Sequence, residues 1–154
     1  MEIERGKGFW TLITGGALLL VMLVAGQMMA FIDYGFTVSL GLQESREVVG
    51  EAGVAINKGF GVGDTIIYTP LMIIGIWGLL ARKRFGSFAM LGAMAITAYW
   101  PMVCLFILLY SRGVSGFHFT RFGEYAIILT AISVFGLWGQ WYLHKRIRSL
   151  MGDG

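Results

Sequence analysis

The sequence predicts an all-α protein: a four-helix transmembrane bundle with its N- and C-termini on the cytoplasmic side. Three observations carry that prediction. The first is composition. Of the 154 residues, 56% are apolar and only 14% charged, against about 25% charged in an ordinary soluble domain. So few charges cannot cover a water-facing surface, and the mean hydropathy of +0.72 agrees. The second is length: four apolar segments reach the roughly 20 residues that a helix needs to cross a hydrocarbon core. The third is the placement of the basic residues, which gather at alternate ends of those segments. The length suits a single domain spanning residues 1–154, and no ten-residue alternation points to a barrel.

Span 1 is expected at about residues 9–31. The apolar stretch behind "MEIERGK" is longer than a secretory h-region of about 7–15 residues, and "QMMAF" is a poor cleavage site, so a retained span is expected. A loop over about residues 32–61 follows. Within it "ESREVVGEAGVAINK" reads as a short surface helix, with Val48, Val49, Ala52 and Ala55 or Ile56 on one side; its glycines lower that propensity. Spans 2, 3 and 4 are expected at about residues 62–81, 87–110 and 124–143.

Lysine and arginine set the orientation. Arg5 and Lys7 precede span 1, Arg82, Lys83 and Arg84 fill the turn between spans 2 and 3, and Lys145, Arg146 and Arg148 follow span 4. An even number of spans puts all three groups on one face, expected to be cytoplasmic in a cell membrane. Trp10, Trp77, Trp138 and Trp141 lie toward that face, as an interfacial belt would. Trp100, in mid-span 3, is the exception.

Both prolines fall inside spans. Pro70 frees the carbonyl of Ile66, and Pro101 that of Thr97, so each is expected to bend its helix. Pro70 lies about 9–12 Å, and Pro101 about 13–15 Å, below the outer end of its span, at 1.5 Å per residue. Polar residues gather at this depth. Asp64 and Tyr68 stand one helical turn apart, Gln27 sits in span 1, Tyr99 in span 3, Glu124 opens span 4, and Asp33 follows span 1. These six residues are the candidate lining of a pocket in the outer half, with Pro70 and Pro101 as the kinks that open it. Asp64 reads in two ways. After Gly63 and before an apolar run it is a good helix N-cap; inside a span, an ionisable residue is a functional candidate. Where span 2 begins decides between them, because a helix already running from Lys58 would leave Asp64 more than a turn inside.

Other chemistry finds little support. "GFGVG" at 59–63 has no following Lys-Ser/Thr and no preceding strand, so it reads as close helix packing rather than a phosphate loop. His118 and His144 lie at opposite ends of span 4, so they share neither metal nor haem. Span 4 carries Thr130, Ser133, Gln140 and His144 roughly on one stripe, which suits interhelical hydrogen bonding. Gly75 and Gly78 on span 2, with Ala89, Gly92, Ala93, Ala95 and Ala98 on span 3, suit tight helix contact. The one cysteine, Cys104, excludes an internal disulfide and a CxxC pair. Nine methionines read as core filling. No metal or cofactor motif is present, and nothing indicates nucleic-acid binding.

With this topology, "DTIIYTPLMIIGIWGLLARKRFG" (64–86) resembles the second span and basic turn of small four-span bacterial membrane proteins of the DoxX-like kind. The resemblance covers most of the chain at the level of architecture. It implies a membrane protein of which some relatives serve as partners of redox complexes. The acidic positions Asp33 and Asp64 are also similar to the two pocket carboxylates of four-span sterol isomerase-like proteins, although no further motif matches.

The leading expectation is therefore a small polytopic membrane protein acting as partner or accessory subunit, with a pocket for lipid or another apolar ligand. The competing one is a membrane enzyme or binding protein with Asp64 as proton donor or acceptor, assisted by Tyr68 and Asp33. A third is a transporter working as a dimer. The expected partners are membrane lipid and either another membrane protein or a second copy of the chain.

Overall fold

The computed structural model describes residues 5–114 and 119–151, with the backbone alone for 149–151; His118 lies outside the described residues. The elements are α1 (Lys7–Ile32), α2 (Tyr34–Ser39), α3 (Arg46–Leu80), α4 (Arg84–Tyr110) and α5 (Phe122–Met151). Four of them, α1, α3, α4 and α5, are long and apolar enough to cross a membrane, with mean hydropathies of 2.1, 1.5, 1.9 and 1.5 over their most apolar stretches. Only 22–33% of the residues in those stretches are buried. The rest, among them Leu18, Val21, Ile66, Ile73, Phe88, Phe106, Ile127 and Leu137, face outward. An outer face of this kind suits hydrocarbon and would be a large apolar liability in water.

Small residues let the helices meet. Between α3 and α4, a side chain at Gly78 would lie 2.5 Å from the Cα of Gly86, and one at Gly75 would lie 2.9 Å from the backbone of Met90. Gly136 of α5 is pressed against the backbone of Thr97 and Ala98 on α4. Between α1 and α5, Gly8 lies under the Tyr142 ring and Gly15 under the Phe135 ring. The bundle therefore closes in the order α1, α3, α4, α5 and back to α1. Its core holds Phe9, Leu12, Met72, Met90, Met94 and Leu143, all essentially inaccessible. Of the small residues expected to pack on span 3, Ala93 and Ala98 do so, whereas Ala95 faces outward. On the span 4 stripe, Ser133 donates to the Ala98 carbonyl (3.1 Å) and Gln140 to that of Met94 (3.5 Å). Thr130 bonds within its own helix, and His144 is exposed.

The α3–α4 turn is short because it closes on itself. The amide of Arg82 donates to Leu79 O (3.2 Å) and that of Lys83 to Gly78 O (2.8 Å), the paired bonds that end a helix at a left-handed residue; Arg82 takes that conformation at φ 57°. The guanidinium of Arg5 donates to Leu80 O at 2.8 Å. This end, carrying the three basic groups, is the basic end. The other, carrying α2 and the 111–121 connection, is the loop end.

One expectation is corrected. The segment after "ES" is no separate surface helix: it is the first part of α3, running on into the span. Val48 is half-buried and Val49 buried, but Ala52, Ala55 and Ile56 are exposed, because Gly50 (φ 65°, ψ 178°) breaks the helical path between them. Val49 and Val54 pack with Ala30 and Tyr34 into a second small core at the loop end. The two prolines sit in different backbone. Pro70 stands two residues after a π-helical segment, Asp64–Tyr68, at whose end the Thr69 amide reaches back five residues to Asp64 O. Pro101 is buried in α4, which stays helical through it. A matching π-helical segment, Leu23–Met28, interrupts α1 without any proline.

These contacts give a stability prediction. Gly86→Val places its side chain on the Gly78–Leu79 backbone, which cannot yield, and should cost about 1–3 kcal/mol or more. Gly59→Ala meets nothing within 4 Å and should hold or raise the melting temperature. Thermal unfolding of both variants in detergent checks the pair.

Candidate functional site

Above the core, toward the loop end, the four long helices leave a partly open cavity of about 260 Å³. Leu19, Leu23, Ile56, Phe60, Ile107, Leu129 and Ile132 supply most of its wall. Among them lie Gln27 on α1, Tyr68 on α3, and Trp100 and Cys104 on α4. Nearer the loops the lining turns polar, with Gln43, Glu44, Asn57, Arg121, Glu124 and Tyr125.

The polar residues of the two π-helical segments meet at one level, because the segments pack against each other. Gly61 makes this possible, lying directly on the main-chain carbonyl of Gln27. Thus the glycine run 59–63 serves helix approach at Gly61, while Gly59 and Gly63 face open space. Asp64 is only 8% exposed. Its Oδ2 is buried with no hydrogen-bond partner among the described residues, as is Oε1 of Gln27, whereas the Trp100 indole N–H lies beside the Tyr68 hydroxyl. Asp64 lies within electrostatic reach of Tyr68 and Cys104. The Tyr68 hydroxyl is 2.5 Å from Oγ1 of Thr97, which donates in turn to Ala93 O at 2.8 Å. Pi-helical segments are rare and gather at functional sites, and an unpaired buried carboxyl costs stability unless something requires it.

The expected site residues separate on this geometry. Gln27, Tyr68 and Glu124 line the cavity. Asp64 is buried beside it on the same π-helical segment as Tyr68. Asp64 is no N-cap, because α3 has been helical since well before Lys58. The capping role belongs to Asp33, whose Oδ1 accepts from the Phe36 amide at 3.0 Å at the start of α2. Asp33 is exposed and does not line the cavity, so the two acidic positions form no shared pocket pair. Tyr99 is 71% exposed on the outside of α4. Its neighbour Trp100 takes the inward place, about 100° around the helix. Trp100 and the rim residues Glu44, Asn57 and Arg121 carried no functional weight in the sequence; Trp100's departure from the aromatic belt was their one visible signal.

The rim is a hydrogen-bonded frame. The Glu44 carboxylate accepts from the Thr120 amide (3.0 Å) and hydroxyl (2.8 Å). Arg121 donates to Gly41 O and to the Tyr125 hydroxyl. Tyr34 donates to Glu44 O at 2.9 Å and accepts from Asn57 at 3.1 Å, tying α2 to α3. Burial pushes the Tyr34 phenol above its ordinary pKa by more than the Asn57 bond lowers it. Among the described residues, no cluster of His, Cys, Asp and Glu could hold a metal ion. No family model, no curated protein and no solved structure matches the chain.

Two measurements follow. Asp64→Leu removes an unpaired buried carboxyl and should leave stability unchanged or raise it by up to about 1–3 kcal/mol, read as an unchanged or higher melting temperature; a clear loss would show that Asp64 is structural. The Tyr34 contribution has the sign of a raised pKa. It is fully present below about pH 10, the phenol's ordinary value, and is lost as pH rises through the higher folded value. Proteolysis of residues 34–60 should therefore quicken at strongly alkaline pH, and Tyr34→Phe should remove that pH dependence.

Proposed function

We propose that the chain is a small multi-pass protein of the cell membrane, with its basic end cytoplasmic, that binds an apolar ligand in the cavity among its four long helices. One observation carries this reading: glycines bring α3, α4 and α5 backbone to backbone below the cavity, yet the four long helices leave about 260 Å³ between them toward the loop end. That volume is near the lower bound of small-molecule sites, roughly 300–1,000 Å³. Its wall is apolar, and polar groups converge on it from all four helices, the usual make-up of a ligand pocket. The orientation is supported by the basic clusters. The resemblance to DoxX-like proteins adds a membrane partner for which the chain serves as accessory subunit, and a second copy is the other candidate.

A second reading has its own support. Asp64, buried and unpaired in a π-helical segment beside Tyr68, has the placement of a proton donor or acceptor. In that reading the ligand is a substrate, and Asp64→Asn abolishes its conversion while the protein still folds and binds.

Native mass spectrometry of gently extracted protein tests the first reading. Wild type should carry a small apolar adduct that Leu129→Trp, filling the cavity wall, releases without loss of the fold. Adduct-free wild type, or an adduct retained by Leu129→Trp, would overturn it. The same spectrum reports any stoichiometric partner or homodimer.

A further inference from the structure

We infer that the cavity is loaded sideways from the bilayer, through a window between α1 and α5, and that its occupant is a neutral single-chain lipid; this rests on the ligand-binding reading above. The seam between these antiparallel helices has a regular register. Gly8 lies under Tyr142, with 2.6 Å to an added side chain, and one heptad on, Gly15 lies under Phe135 at 2.5 Å. Phe135, Trp138 and Tyr142 stack in sequence along α5, with centroids 5.8 and 5.5 Å apart, and seal this half of the seam. One further heptad along both helices brings Met22 opposite Ile128. Here nothing seals it. Met22 is 43% and Ile128 47% exposed, and both also line the cavity. Residues that face the outside and the cavity at once mark its edge: Ile56 and Leu42 do so at the loop-end rim, Met22 and Ile128 between α1 and α5. Just beyond, a side chain added at Gly26 would meet nothing within 4 Å, although Gly26 is buried and lines the cavity. Where the first two glycines of α1 are covered by rings, this one borders open space.

The lining is graded in the sense of a lipid leaflet. Leu19, Leu23 and Ile132 lie deep, whereas Asn57, Glu44 and Arg121 lie toward the loops. A lipid moving in sideways keeps its tail toward the bilayer centre and its head at the rim. The rim also limits the head. Arg121 is the one cation among the described lining residues, and it already faces two carboxylates: Glu124 at 3.9 Å and Glu44. Its hydrogen bonds go to Gly41 O and Tyr125. A phosphate or carboxylate head would meet more negative than positive charge. A hydroxyl head meets side-chain amides that donate and accept, and carboxylates that accept its proton.

The test uses the full chain in lipid nanodiscs with two probes of matched length, a photoreactive hexadecanol and a photoreactive hexadecyl phosphate. Cross-linked positions are mapped by peptide mass spectrometry. Hexadecanol should label cavity residues of α1 and α5, and hexadecyl phosphate about tenfold less. Gly26→Leu, which places its side chain in open space, should cut hexadecanol labelling about tenfold without lowering the melting temperature; Met22→Trp should do the same from the other side of the window. Equal labelling by the two probes would overturn the neutral head. Wild-type labelling in both folded variants would overturn the window, while a native-spectrum adduct in the same preparation would leave the cavity itself intact. Absence of cavity labelling by either probe, together with adduct-free wild type, would remove the binding reading and this inference with it.

Discussion

Backbone contact through glycine, from the basic end to mid-bundle, holds α3, α4 and α5 at the shortest distance helices can reach, and α1 packs against them through the rings over Gly8 and Gly15. Gly78 on Gly86, Gly75 on Met90 and Gly136 on Thr97 and Ala98 are contacts between main chains, with no side chain between to compress. In a bilayer there is little hydrophobic drive to bring helices together, because lipid tails are as apolar as leucine; packing of small residues takes its place. Below the cavity, where this packing is available, the bundle is solid, with Met72, Met90 and Met94 wholly inaccessible. Above it the side chains are larger, the small contact at Gly61 joins only α1 and α3, and the helices part around empty space.

The two π-helical segments answer a backbone problem in the same region. In an apolar layer each amide and carbonyl needs a partner inside the protein. Pro70 supplies no amide, and the helix before it shifts to bonds that reach five residues back. Within that segment Asp64 and Tyr68, four residues apart and so on one face, are both buried. α1 makes the same shift at Leu23–Met28 without a proline, opposite the first. A proline accounts for the shift in α3 only. In α1 the close contact of the Gln27 carbonyl with Gly61 is the local feature that accompanies it.

The long helices were legible because hydropathy adds over many residues, and errors at single positions average out. Individual side chains were legible only where one helix fixed their environment. Asp64 looked like a cap because Gly63 precedes it and apolar residues follow. The helix in fact begins at Arg46, in a stretch of modest hydropathy whose Val49 and Val54 are held by Ala30 and Tyr34, a tertiary contact that the local sequence does not announce. Tyr99 and Trp100 differ by one position and so by about 100° of rotation, which no pattern in a helix apolar on all sides resolves. Ala52 and Ala55 were placed on the wrong face by the positive φ of Gly50. The π-helical segments left no compositional trace, since they depend on which carbonyl an amide reaches.

Two buried polar atoms beside the cavity, Asp64 Oδ2 and Gln27 Oε1, have no hydrogen-bond partner among the described residues. Simple helix packing would have favoured apolar residues at both places, since each unsatisfied group costs about 1–3 kcal/mol and leucine or phenylalanine would fit a lipid-facing protein better. The glycines at the basic end show that this chain reaches tight apolar packing where packing is the purpose. The polar cluster sits instead where the helices shift register and the cavity begins. The Tyr142 hydroxyl, near the basic end, is buried without a partner too, but only at the cavity does an unpaired carboxyl coincide with a π-helical backbone, which ties those two irregularities to a single site.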